Sequence, residues 1–135
     1  PDPGILLLES ARMFADFPCF GTFHKKYLDN ESPAPTEAFL WNENQNGCWR
    51  WESFKSVMDS SIHIAVGLRH LQHLEIEKSI APRIGICLKN KPEWAKCAFG
   101  CTLANLIWIG IHPTITNQNI KHIIEISELS VFICN

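Results

Sequence analysis

The feature that most constrains the fold is an alternation that fills the second half of the chain. Residues 83–88 form a short apolar run of the kind a buried strand uses, residues 106–111 form a second, and residues 131–134 a third. Between the first two lie Asn90, Lys91, Pro92 and Glu93, a helix start with a capping Asn or Lys, an early proline and an acidic first turn. Trp94, Cys97, Ala98 and Cys101 continue that helix. Between the second and third runs, Thr114 or Thr116 can cap a helix carried by Ile120, Ile123, Ile124 and Ser127. Strand, helix, strand, helix, strand predicts parallel neighbours joined by right-handed crossovers, hence an α/β fold with an open, mainly parallel β-α-β-α-β layer over residues 83–135.

Residues 1–82 read as a leading unit. Leu6, Leu7, Ala11 and Phe14 predict a helix from Gly4 to Ala15, closed by Phe17-Pro18. Residues 20–27 alternate weakly toward a strand, and residues 29–37, with Pro33 and Pro35, read as a loop. Residues 39–41 and 48–51 resemble the two arms of a hairpin. From Ser53, a plausible N-cap, Phe54, Met58, Ile62, Ala65, Leu68 and Leu71 recur at helical spacing to residue 74. His63, His70 and His73 on that helix have no carboxylate or third ligand at a zinc-site spacing, so no metal site is assigned.

The balance of 12 basic against 14 acidic residues, with no basic run, argues against nucleic acid as a partner. Cys19, Cys48, Cys87, Cys97, Cys101 and Cys134 include no CxxC pair, and they read as buried free thiols in a reducing, intracellular compartment. No secretory signal opens the chain, and the longest apolar run, residues 98–111, contains Asn105 and is too short to span a bilayer. The chain begins with Pro and stops inside a strand pattern, so both ends read as cut.

Ligands of open α/β layers gather beyond the carboxyl ends of the strands, here Lys89 and Asn90, residues 112–116, and Asn135. No GxGxxG, phosphate loop, GxSxG or HExxH occurs, and the seven glycines never cluster into an anion cradle. The missing Gly-rich turn after Leu88 disfavours a dinucleotide-dependent enzyme.

The ordered features from Cys48 to Asn135 resemble the start of the long-chain fatty acid-CoA ligases of the AMP-forming, adenylate-forming superfamily. Trp51-Glu52-Ser53-Phe54 is similar to their Trp-x-Ser-Tyr, Val66-Gly67-Leu68 to their small-Gly-Leu, and Ile84-Gly85-Ile86 to their Val-Gly-Ile. Asn90-Lys91-Pro92-Glu93-Trp94 resembles their Asn-Arg-Pro-Glu-Trp, the most telling match. Pro113-Thr114-Ile115 stands where they have Asp-Thr-Leu, and Ile123-Ile124-x-Ile126-Ser127 where they have Ile-Ile-Asn-Thr-Ala. Gly110-Ile111-His112 departs from their Pro-Leu-Tyr, and its Gly-Ile pair resembles the bubblegum-type, very-long-chain branch.

The resemblance implies a truncated N-terminal part of an AMP-binding domain. It implies ATP, Mg2+ and CoA as cofactors of the complete enzyme, and fatty acid, ATP and CoA as its ligands. Peripheral membrane association, pairing with the rest of the enzyme and a location in the cytoplasm or on the cytoplasmic face of a membrane are further expectations. The family's catalytic motifs are absent from residues 1–135, so no catalytic residue is assigned and no cofactor is expected to bind this fragment tightly. By position only, His112, Pro113 and Thr114 become the candidates for contact with the CoA arm. The alternative is a non-catalytic binding or regulatory module derived from such an enzyme, suggested by the open apolar edge at residues 131–134.

Overall fold

The computed structural model describes residues 2–25, 47–73 and 82–134. They form α1 (Pro3–Met13), β1 (Pro18–Lys25), β2 (Gly47–Ser53), α2 (Phe54–His73), β3 (Arg83–Cys87), α3 (Pro92–Leu103), β4 (Ile107–Gly110), α4 (Asn117–Ser127) and β5 (Val131–Cys134). The fold is the expected mixed α/β fold.

Asp2 caps α1 by accepting the Gly4 amide at 2.7 Å, and Pro3, which has no N–H to leave unpaired, takes the first helical position. The helix stops at Met13, two residues short of the expectation. The cause lies across the molecule: the carbonyls of Ala15 and Phe17 accept the amides of Lys55 and Phe54, each at 3.0 Å. Those amides open α2 and have no partner within it, so the turn after α1 is held out of helical geometry to satisfy them.

β1 starts at Pro18, where a missing amide removes no interior ladder bond, and pairs antiparallel with β2. The expected hairpin partner of β2, residues 39–41, lies outside the described residues, as do the loop at 29–37 and the polar break at 75–81. Ser53 caps α2 as expected, its hydroxyl accepting the Ser56 amide at 3.2 Å. The buried stripe of α2 differs from the apolar spacing. Val57, Met58, Ser61, Ala65 and Leu68 are buried, whereas Ile62 and Leu71 are exposed. Ser61 reaches zero exposure because its hydroxyl donates to the Val57 carbonyl at 2.8 Å, and an apolar count does not register it.

The three later strands make a parallel sheet in the order β4-β3-β5. β3 is therefore central, and right-handed crossovers to opposite sides put α3 and α4 on opposite faces. The α3 face carries the core: Ile84 and Ile86 meet Cys97, Ala98 and Cys101 of α3, with Ala65 and Leu68 of α2 behind them. α2 and α3 cross closely at Gly100, where a Cβ would fall 2.7 Å from Ile64 Cγ2 and 3.0 Å from the Ser61 carbonyl. The other face is lighter, and α4 buries none of its residues.

Cys87, Cys97 and Cys101 are buried free thiols as expected, and Cys19 is half-buried. Cys134 is the correction: it ends β5 on the sheet's edge and is exposed. A strand's last residue has no layer beyond it, so an apolar run does not guarantee burial of its final member.

Candidate functional site

A cleft of about 410 Å³ opens at the carboxyl ends of β3 and β4, lined by Leu88, Asn90, Trp94, Gly110, Ile111, His112 and Pro113. Its floor follows from strand pairing: the Ile111 amide donates to the Ile86 carbonyl at 2.8 Å, carrying the chain one residue past β4 alongside β3. Its wall follows from how α3 begins. Pro92 keeps the preceding residue out of helical geometry, and Lys91, the N-cap, is extended at φ −137°, ψ 164°. The chain therefore turns sharply between Leu88 and Pro92 and throws Trp94 from the first turn of α3 over the end of β4.

Trp94 meets Trp108 of β4 edge to face, with ring centroids 5.7 Å apart and planes at 88°. Gly110 completes the wall. A Cβ there would lie 3.5 Å from Trp94 Cζ2, so any longer side chain would grow against the indole and into the cleft.

Thr114 fixes His112. The Thr114 amide donates to His112 Nδ1 at 3.3 Å, and the Thr114 hydroxyl lies 2.8 Å from the same nitrogen. An amide can only donate, so in the neutral ring Nδ1 is the acceptor and Nε2 carries the proton. His112 is thus held as a donor. The cleft combines apolar walls from Leu88, Trp94, Ile111 and Pro113 with an amide at Asn90 and an N–H at His112. That combination suits an elongated ligand with alternating apolar and amide character.

Of the candidate residues, His112 and Pro113 line the cleft, while Thr114 orients His112 from behind it. Asn90 lines the cleft rather than capping α3, a role that falls to Lys91 without a side-chain bond. Thr116 caps α4, accepting the Asn119 amide at 3.4 Å. Asn135 lies outside the described residues. The strand-end rule does not reach Trp94, Gly110 and Ile111; the signal for Trp94 is its place in the first turn of the helix that follows β3.

Among the described residues no three His, Cys, Asp or Glu side chains converge. The cleft lining has no carboxylate either, so these residues do not fit Mg2+. His63 and His70 are exposed along α2. The α3 thiols do not resemble nucleophiles. Burial, with Cys97 adding to it, pushes Cys101 up to about 11, and burial with Glu93 raises Cys97. Among the described residues no helix is long and apolar enough to cross a membrane.

Residues 30–135 match the model of the AMP-binding enzyme family. Fatty acyl-CoA synthetase A of Dictyostelium discoideum is 24% identical over 95 residues, which cover 70% of this chain and 14% of that protein. The structure of IdnL1 superposes with a TM-score of 0.68 at 11% identity, covering 97% of this chain and 22% of that one. O-succinylbenzoate coenzyme A synthetase (MenE) from Bacillus subtilis, solved with AMP, gives 0.59 at 14% identity, covering 96% and 26%. At such identities the structural matches show the fold alone. The chain spans about a seventh of the length of that curated relative.

Proposed function

The chain belongs to the AMP-binding enzyme family, and from that premise we propose that it forms the opening segment of a fatty acid-CoA ligase whose carboxyl-edge cleft receives the coenzyme A arm. The observation that carries this reading is the cleft itself. It lies beyond the carboxyl ends of parallel strands, has apolar walls and amide-matching groups, and contains no carboxylate. A pantetheine arm alternates amides with short alkyl stretches and carries no charge of its own along that length.

In the proposed reaction a fatty acid carboxylate oxygen attacks the α-phosphorus of ATP and pyrophosphate leaves. The CoA thiol then attacks the acyl carbonyl and AMP leaves. The described residues serve the second of these steps. Their contribution is to hold the arm: Asn90 and the His112 Nε2–H hydrogen-bond it, and Leu88, Trp94 and Ile111 exclude water around it. The substrate class rests on the ordered sequence matches and the Dictyostelium relative, and the Gly110-Ile111 pair supports the bubblegum-type branch within it. An intracellular site of action accompanies this reading, as does pairing of the segment with the rest of the enzyme.

The test is to recover from its native source the polypeptide that carries this sequence and supply fatty acid, ATP and CoA. The expected products are acyl-CoA, AMP and pyrophosphate from a polypeptide larger than 15.4 kDa. The 135-residue chain alone is expected to give no fatty acid-dependent exchange of pyrophosphate into ATP. A second reading, a non-catalytic module that pairs through the exposed edge of β5, is favoured instead by a native 15.4 kDa polypeptide that binds a larger relative without turnover.

A further inference from the structure

We propose that Cys87 and Cys134 are a redox-sensitive thiol pair that forms a reversible cross-strand disulfide at the ligand edge of the sheet. β3 and β5 run parallel with Cys87 directly opposite Cys134 in register. Neighbouring strands lie about 4.7–4.9 Å apart, inside the Cα separation of about 4.4–6.8 Å that disulfides span. Side chains alternate faces along a strand, and in-register parallel partners share a face. Ile84, Ile86, Val131 and Ile133 pack into the core on the α3 side. Both thiols therefore stand on the opposite side with Gly85 and Phe132, where no helix residue is buried. The two differ in access: Cys134 is exposed and Cys87 is buried.

That asymmetry sets the order of events. A low-molecular-weight disulfide such as oxidised glutathione meets the Cys134 thiolate first. A mixed disulfide forms at Cys134 Sγ as the reagent's S–S bond breaks and one glutathione thiolate leaves. The Cys87 thiolate then attacks Cys134 Sγ, the mixed S–S bond breaks, and the second glutathione leaves. The two cysteines lose two electrons and two protons, and the reagent gains them as two thiols. In-register parallel neighbours carry their Cβ atoms about as far apart as the strands, roughly 4.8 Å, just beyond the roughly 3.5–4.5 Å a disulfide prefers, so closure draws β3 and β5 together and leaves a bond that is readily reduced. The bond ties β3 to β5 immediately before Leu88, the first residue of the cleft.

The experiment treats the folded chain with oxidised glutathione and maps its peptides without reduction, alongside Cys87→Ser and Cys134→Ser. In the unsubstituted chain a Cys87–Cys134 linked peptide should appear and vanish on adding dithiothreitol, with little glutathione retained at Cys134. Cys87→Ser should accumulate glutathione at Cys134, because no resolving thiol remains, and Cys134→Ser should leave Cys87 unmodified. Stable glutathione at Cys134 in the unsubstituted chain, or linked peptides joining Cys134 to other cysteines as often as to Cys87, would overturn the proposal. Circular dichroism of each variant establishes that the fold is retained.

Discussion

The two faces of the three-stranded sheet carry helices of unequal apolar content, α3 richer than α4, and end in different states. On one, α3 presses Cys97, Ala98 and Cys101 against Ile84 and Ile86, which are 1% and 0% exposed. On the other, α4 has the clearer division into apolar and polar sides, yet buries nothing, and Ile124 and Ile126 remain 37% and 65% exposed. An amphipathic pattern shows that a helix has a side to cover. It does not supply the cover, which on the α3 side comes from α2 and α1 and on the α4 side from nothing among the described residues.

The sharpest way to break this contrast is truncation on each face. Ile86→Ala should lower unfolding free energy by about 2–5 kcal/mol, and Ile124→Ala should change it by less than about 0.5 kcal/mol, both read from urea denaturation. Equal losses would mean that α4 packs as firmly as α3.

Alkaline pH separates the faces next. Burial keeps the Cys101 proton to about 11 rather than its ordinary 9.0, so the folded chain retains a proton that the unfolded chain has lost. That contribution is complete below pH 9 and disappears as pH rises to 11, an effect of up to about 3 kcal/mol. Cys101→Ala should flatten the decline of stability over this range.

Glycine positions sharpen the comparison further. An added Cβ at Gly100 meets the Ser61 carbonyl and Ile64 Cβ, neither of which can swing aside, so Gly100→Ala should cost about 1–3 kcal/mol. At Gly85 the added Cβ would meet only side-chain ends, the Leu129 Cδ1 methyl at 2.6 Å and the Phe132 ring at 3.0 Å, and no backbone. Gly85→Ala should therefore cost about 1 kcal/mol or less, because the ordering of a strand glycine is relieved by about 0.5–1 kcal/mol.

Ion pairs repeat the contrast on a smaller scale than the core truncation. Lys96 and Glu52 join α3 to β2 at 2.6 Å with side chains 13% and 26% exposed, and Lys96→Met should cost about 1–2 kcal/mol. Lys121 and Glu125 on α4 lie 3.8 Å apart and largely exposed, and Lys121→Met should fall within about 0.5 kcal/mol. Chemical denaturation of the paired variants reads both.

Much of the α3 side was legible in the sequence because local signals agreed with tertiary demand. Pro92 and Glu93 opened the helix, the apolar run at 83–88 became the buried central strand, and Ser53 capped α2. What was not legible depended on contacts between distant residues. The early end of α1 is imposed by the amides of Phe54 and Lys55, some forty positions away. The buried stripe of α2 is displaced by Ser61, a polar residue whose burial is set by the approach of Gly100. In the cleft, the strand-end rule located His112 and Pro113, but Gly110 acquired its place only when Trp94 folded across β4.

The role of that cleft is open to direct test. In the native polypeptide carrying this sequence, Gly110→Leu should fill the space beside Trp94 while leaving fatty acid-dependent exchange of pyrophosphate into ATP intact. It should raise the KM for CoA by at least about tenfold, a loss of roughly 1.4 kcal/mol of binding. An unchanged KM for CoA, or exchange falling in step with thioester formation, would contradict the assignment of the cleft to the thiol arm.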